Sequence, residues 1–246
     1  MVVNRDERRG RATSFGGVAD AYERARPEYP ADAVRWLAGD TPADIVDLGA
    51  GTGKLTRGLV ALGHRVTAVE PLPAMLERLR GAVPEAVALS GDAEAIPLPD
   101  ASADVVVCAQ AFHWFDHLTA LPEIARVLRP QGRIALVWNM RQENDLLSAS
   151  LKGMIGSETV ESGDAVEPIT ESGLFGPVER ASFAIVQHVD REMLLDLVLS
   201  RSYCATMAPD ERDEVLRRVA ALYDESACSD GLDLSYTTEC FRAVRL

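Results

Sequence analysis

Val46-Asp47-Leu48-Gly49-Ala50-Gly51-Thr52-Gly53-Lys54-Leu55 places glycines at alternate positions between an apolar run and a segment of helical spacing. A chain that leaves a buried strand and turns at once into a helix needs residues free to bend sharply, and the free N–H groups at the helix start then face whatever occupies the turn. Such a turn lets a nucleotide approach the backbone. A dinucleotide fingerprint G-x-G-x-x-G that starts at Gly49 and Gly51 wants Gly or Ala at position 54, where Lys54 stands. The third glycine falls at Gly53 instead. The pattern is G-x-G-x-G preceded by the acid Asp47, as expected when the turn holds an amino-acid moiety and not a pyrophosphate.

Outward from this turn, apolar runs bounded by turn residues recur at Ile45–Leu48, Arg65–Val69, Ala86–Leu89, Asp104–Ala109 and Arg133–Trp138, and they read as buried strands. Helical spacing marks Lys54–Leu62, Pro73–Ala82 and Leu118–Leu128, the last ended by Arg129-Pro130 and Gly132. The alternation predicts an α/β fold: a doubly wound, mostly parallel sheet with right-handed crossovers and helices on both faces. Beyond Asn139 the rhythm changes. A polar stretch to about Pro177 carries one or two weak helical patterns, Val178–Val189 and Leu234–Leu246 read as strands, and Arg191–Leu199 and Asp210–Leu222 read as helices between them. This predicts a helical cover inserted near the C-terminus. The expected organisation is one domain over residues 1–246, with an N-terminal cap segment 1–35, a cofactor-binding core 36–140 and a C-terminal part 141–246 that carries the cover.

With 246 residues, 47% of them hydrophobic, the chain can fill a sizeable core. Its formal net charge of −13 disfavours nucleic acid, which asks for basic side chains on one face. The basic cluster Arg5, Arg8, Arg9 and Arg11 reads as a solvated tail. Cys108, Cys204, Cys228 and Cys240 form no CxxC pair, so neither zinc nor a redox motif is suggested and reduced cytoplasmic thiols fit. No apolar run approaches the roughly twenty residues of a membrane span, and the charged N-terminus lacks the core of a signal peptide. A cytoplasmic protein with no membrane or nucleic-acid partner is expected, of open oligomeric state.

Glu70 closes the second predicted strand in Thr67-Ala68-Val69-Glu70-Pro71, where a carboxylate can accept two hydrogen bonds from a ribose diol. Taken alone this suits NAD as well. Gly91-Asp92-Ala93-Glu94-Ala95-Ile96-Pro97-Leu98-Pro99-Asp100 follows the third strand, and Cys108-Ala109-Gln110-Ala111-Phe112-His113-Trp114-Phe115-Asp116 follows the fourth. Together with Asp47-Leu48-Gly49-Ala50-Gly51-Thr52-Gly53, these segments resemble the class I S-adenosylmethionine-dependent methyltransferases, most closely the small-molecule branch that includes the trans-aconitate and related enzymes.

The resemblance covers about residues 40–140. It implies S-adenosylmethionine as cofactor, Asp47, Gly49, Ala50, Gly51, Gly53 and Glu70 around its amino-acid and ribose parts, Asp92 and Ala93 at the adenine, and Gln110 beside the methionine. Ala21-Tyr22-Glu23-Arg24-Ala25-Arg26-Pro27-Glu28-Tyr29-Pro30, with Phe15 upstream, is similar to the segment many members fold over the cofactor, which implies Tyr22 and Arg26 as further contacts; an ordinary packed helix is the other reading.

Such an enzyme aligns a nucleophile with a methyl group already on a good leaving group, so positioning carries much of the work. A protonated oxygen or nitrogen acceptor needs a base, whereas a carboxylate needs none. His113 is the candidate base, with a wall residue as the alternative. Trp114 and Phe115 are candidates for an apolar substrate pocket, Trp138 for the core, and Ser200-Arg201-Ser202-Tyr203 supplies the polar substrate candidates Arg201 and Tyr203. His113, Asp116 and His117 make a poor metal set, and no metal is expected. The expected function is methyl transfer to a small molecule, be it carboxylate, hydroxyl, amine or activated carbon. The rivals are an NAD-dependent oxidoreductase and a non-catalytic S-adenosylmethionine-binding regulator.

Overall fold

In a computed structural model of the chain, the described residues are 19–142, 146–155, 162–201, 204, 207–227 and 231–246. The strands are β1 (Asp44–Leu48), β2 (Arg65–Glu70), β3 (Val87–Ser90), β4 (Ala103–Ala109), β5 (Leu128–Arg141), β6 (Glu179–Val189) and β7 (Leu232–Val244). They form one seven-stranded sheet in the order β3-β2-β1-β4-β5-β7-β6. β1 pairs in parallel with β2 and with β4, β2 with β3, and β4 with β5. The strand order reverses between β1 and β4, and a crevice opens beyond the carboxyl ends of strands at such a switch point.

The helices are α1 (Ala19–Ala25), α2 (Ala31–Ala38), α3 (Lys54–Ala61), α4 (Pro73–Ala82), α5 (His117–Val127), α6 (Leu146–Ile155), α7 (Ser162–Glu171), α8 (Arg191–Leu199) and α9 (Pro209–Ser226), with a 3₁₀ turn at Phe112–Trp114. Two strands depart most from the sequence expectation. β3 is an edge strand and not a buried one: it has a single neighbour, and Val87 is 57% exposed. β5 begins at Leu128, ahead of the expected Arg133. A register shift against Ala103 and Val105 lets the chain bulge around Pro130, whose missing N–H leaves the ladder, and Gln131 takes φ +65. The polar stretch after Asn139 contains α6 and α7.

The chain separates into two compact units. The larger is built from Glu28–Asn139, Val160–Phe183 and Thr238–Leu246. Its core joins Val34 and Leu37 of α2, Leu55 and Leu59 of α3, Ile45, Val66, Val105 and Val107 of the central strands, and Ala135 and Val137 of β5. Each buried Val, Leu or Ile side chain among these contributes about 1.5–3 kcal/mol, which anchors β1 and α3 on either side of the turn between them. The smaller unit is built from Met1–Pro27, Met140–Thr159 and Ala184–Thr237. It has its own core, in which Leu151, Leu194, Leu197, Val215 and Val219 from α6, α8 and α9 meet Leu234 and Tyr236 of β7. Asp190 caps α8 by accepting the Met193 N–H at 2.8 Å. Within this unit α1 packs on α8, tied by Arg24 Nε to Asp196 Oδ2 at 2.7 Å. Among the described residues, no helix is long and apolar enough to cross a membrane.

Candidate active site

The three glycines of the β1–α3 turn all have left-handed backbone angles, at φ +72, +58 and +92 for Gly49, Gly51 and Gly53. Their surroundings differ. A Cβ on Gly49 would lie 2.7 Å from Ala111 Cβ, and one on Gly53 3.1 Å from Leu79 Cγ, whereas one on Gly51 would meet nothing within 4 Å. Gly49 and Gly53 are therefore small so that protein can pack against them, and Gly51 is bare toward open space. The turn is pinned to β2 by the Gly49 and Ala50 N–H groups, which donate to Val69 O at 2.9 and 3.2 Å.

Beneath the turn, Asp47 is fully buried. Its Oδ2 accepts from Thr56 Oγ1 at 2.6 Å, and its Oδ1 has no partner. Burial pushes the carboxyl up to about 7, against the pull of the Thr56 hydrogen bond and with a push from Glu70. Glu70 accepts the Gly51 N–H on Oε2 at 2.8 Å and the Leu72 N–H on Oε1 at 2.9 Å. Each oxygen keeps a further lone pair for a donor outside the backbone. Burial raises this carboxyl above its ordinary range, and the two backbone N–H groups only partly offset it.

Asp92 carries a buried Oδ1 that has no hydrogen-bond partner, next to the buried Ala93. The loop that holds it is fixed by residues whose role the sequence did not announce. Arg126 of α5 donates through Nη1 to Leu98 O at 2.9 Å and to Asp100 Oδ1 at 2.8 Å, through Nη2 to Ile96 O at 3.0 Å, and through Nε to Glu123 Oε1 at 2.7 Å. Glu123 Oε2 in turn accepts the Ile96 N–H at 3.0 Å. Glu94 reaches across to accept the Asp116 N–H at 2.7 Å, which joins this loop to the one after β4. The only signal for the network was the spacing of Glu123 and Arg126 along one helix face.

After β4, Gln110 takes φ +56, donates its N–H to Val137 O at 2.9 Å and places Nε2 3.4 Å from Asn139 O. Asn139 is itself held, with Nδ2 donating to Glu28 O at 3.3 Å and Oδ1 accepting from Thr238 Oγ1 at 2.6 Å. His113 and Trp114 sit on the 3₁₀ turn with ring centroids 4.6 Å apart. Phe115 is buried, edge-on to Phe112 at 5.9 Å, and a Cβ on Gly49 would lie 3.5 Å from its Cζ. His117 stacks on Phe112 and donates through Nε2 to Phe112 O at 3.0 Å, since a carbonyl can only accept. Trp138 is buried beside Phe241 in the core. Among the described residues, no group of three or more His, Cys, Asp or Glu is placed to hold a metal ion.

Contacts thus bring together the glycine turn, Glu70, the Asp92 loop and the Gln110–Asp116 segment, all in the larger unit. Lys54, which argued against a dinucleotide, has only 9% of its side chain exposed and pairs with Glu28 Oε1 at 3.0 Å. Tyr22, Arg26 and Arg201 belong to the smaller unit. There Arg26 lies over the Tyr22 ring at 5.5 Å and donates from Nε to Ser200 Oγ at 2.9 Å, while Arg201 is buried. Tyr203, Ser202, Phe15 and the N-terminal arginines lie outside the described residues.

A family model described as a methyltransferase domain matches residues 46–136, the span that holds the turn, Glu70, Asp92 and the post-β4 segment. An uncharacterized methyltransferase of Mycobacterium tuberculosis is 46% identical over 241 residues, covering 96% of this chain and 98% of that protein. Malonyl-[acyl-carrier protein] O-methyltransferase of Methylococcus capsulatus is 39% identical over 141 residues, 52% of this chain and 51% of that protein. A solved structure assigned as a type II methyltransferase from Anaeromyxobacter dehalogenans shares the fold with a TM-score of 0.62 and 26% identity, over 89% of this chain and 97% of that one. With the G-x-G-x-G spacing, the bare Gly51 and the full-length likeness pointing the same way, the chain belongs to the class I S-adenosylmethionine-dependent methyltransferases.

Proposed function

We propose that the chain transfers the methyl group of S-adenosylmethionine to a small-molecule acceptor. The observation that carries the assignment of the cofactor site is the chemistry of its lining: Gly51 faces open space, Glu70 offers spare lone pairs beside it, and Asp92 Oδ1 is buried without a donor. A buried acceptor left without a donor costs about 1–3 kcal/mol, so a ligand N–H is its expected partner.

When bound, the cofactor supplies an electrophilic methyl group on a sulfonium leaving group. The chain's own residues bind and orient. Gly49, Ala50, Gly51 and Gly53 shape the turn that takes the amino-acid part, with Asp47 bracing it from below through Thr56. Glu70 accepts from the ribose hydroxyls, Asp92 accepts from the adenine amino group, and Ala93 packs at the ring. Gln110 sets the wall beside the methionine, and its left-handed backbone turns the chain toward Trp114 and Phe115, whose rings keep water out. His113 takes the proton from an acceptor hydroxyl or amine.

A screen for transfer of a tritiated methyl group to small carboxylic acids, phenols and amines, run beside calorimetry with S-adenosylhomocysteine and NAD, tests this reading. Micromolar heat with the sulfur nucleoside, none with NAD, and a labelled small product are expected. Label found only on macromolecules would overturn the acceptor class, and absent heat with the sulfur nucleoside would overturn the site.

A further inference from the structure

Among the described residues three acids are buried: Asp47, Glu70 and Asp196. Asp196 is neutralised by Arg24, whose Nε lies 2.7 Å from its Oδ2. Asp47 and Glu70 have no cation beside them, and both belong to the glycine turn of the larger unit. Asp47 lies beneath the turn with Oδ2 on Thr56 Oγ1 and Oδ1 bare, while Glu70 accepts the Gly51 and Leu72 N–H groups. The elements around Asp47 bring no positive charge. β1 is flanked there by β2, at Ala68, and by β4, at Val107. From β2 comes the second acid, Glu70, and from β4 the thiol of Cys108, which burial and Asp47 together hold neutral. α3 carries the cations Lys54 and Arg57, and both reach Glu28 instead, at 3.0 and 3.7 Å.

Two neighbouring carboxyls, desolvated and without a cation, do not both stay ionised, because neither their burial nor their mutual repulsion is compensated. The proton is held at Asp47, where burial is deepest and one oxygen has no N–H to stabilise an anion. Its pKa, pushed up to about 7, agrees with that placement. A neutral ligand would leave the pair as it is. Positive charge brought into the turn supplies the missing countercharge and favours the ionised acid. We propose that Asp47 and Glu70 make the turn selective for a cationic ligand group, the ammonium of the cofactor's amino-acid part, and that Asp47 releases its proton as the site fills. The proton passes from the carboxyl to the buffer, and no other bond changes. Below about pH 7 the empty site must lose a proton to bind, so affinity falls as pH falls; above it the acid is already ionised and affinity is level. This rests on the cofactor reading above and deepens it.

The test titrates the full chain with S-adenosylhomocysteine at pH 6 and pH 8, each in two buffers of different ionisation enthalpy, so that the buffer dependence of the heat counts the protons released. About one proton per site is expected at pH 6 and almost none at pH 8, with affinity several-fold weaker at pH 6. The probe 5′-methylthioadenosine has the adenosine and the sulfur but no amino-acid part, and it should release less than half as many. D47N should bind without proton release and with the same affinity at both pH values. T56V removes the donor that favours the ionised acid, so its release should extend to higher pH. Heat at pH 6 that is the same in both buffers, release by methylthioadenosine equal to that by S-adenosylhomocysteine, or undiminished release in D47N would each overturn the proposal. Should D47N not fold, T56V decides, since release over an unchanged pH range would exclude Asp47. Absent heat with S-adenosylhomocysteine sinks the cofactor reading as well, whereas heat without protons leaves that reading standing and removes this one alone.

Discussion

Asp47→Asn should make the ligand-free protein more stable at pH 8 and less dependent on pH below it. The carboxyl is fully buried, with one oxygen on Thr56 and the other unpartnered, and its pKa is pushed from 3.8 to about 7. Between those values the folded state holds a proton that the unfolded state has released, so stability falls as pH rises from about 4 to about 7 and then levels off. A shift of about 3 units at about 1.4 kcal/mol each amounts to roughly 4 kcal/mol. Asn keeps the shape and can still accept from Thr56. Its extra N–H group, left unpaired, costs about 1–3 kcal/mol at every pH, which displaces the curve without tilting it. Asp44, Asp104 and Glu123 have lowered pKa values and tilt the profile the opposite way, losing stability as pH falls; both proteins share them, so the difference between the curves isolates Asp47. The assay is urea unfolding at intervals from pH 4.5 to 8.5 at constant ionic strength. Parallel curves, or a variant that gains no relative stability on going to pH 8, would refute the reasoning.

Gly51→Val should abolish measurable binding of S-adenosylhomocysteine in calorimetry while circular dichroism shows a folded chain, because the side chain enters the open space; unchanged affinity would mean that the turn does not face the ligand. Arg126→Met should weaken the same binding about tenfold and lower the melting temperature by several degrees, since the Ile96 and Leu98 carbonyls lose their donor; an unaltered dissociation constant would show that the loop is held otherwise. His113→Ala should lower turnover of a hydroxyl or amine acceptor about 10²-fold with cofactor affinity kept, whereas wild-type turnover would remove the base role.

What the sequence made legible is what local physics decides. Buried strands such as Val105–Cys108 are continuous apolar runs, and the glycine turn and Glu70 sit at their ends, so both the fold class and the proposed cofactor crevice follow from short windows. The strand β3 was read but its edge position escaped, because an exposed edge strand and a central one have the same composition over four residues. α6 and α7 showed only as one or two weak helical patterns in a polar stretch, because their segments carry little apolar periodicity. The smaller unit assembles from three separated segments, and no local pattern tells that Arg24 meets Asp196 or that Arg26 meets Ser200.

α5 shows how the legible and hidden parts of the site depend on each other. Its first residue, His117, stacks on Phe112 and donates to that residue's carbonyl, which fixes the turn that bears His113. Further along, Glu123 and Arg126 clamp the loop of Asp92, and Glu94 of that loop returns to accept the N–H of Asp116, the residue just before the helix. One rigid element therefore sets the proposed adenine side and the proposed base side together, which is how a site gains precision from a scaffold. The glycine turn enters the same circuit where Gly49 meets Ala111 and Phe115. A change at Arg126 thus reaches beyond cofactor affinity. If the clamp positions both loops, Arg126→Met should lower turnover at saturating cofactor as well as weaken binding, whereas a purely local role for the clamp would leave saturated turnover at the wild-type value.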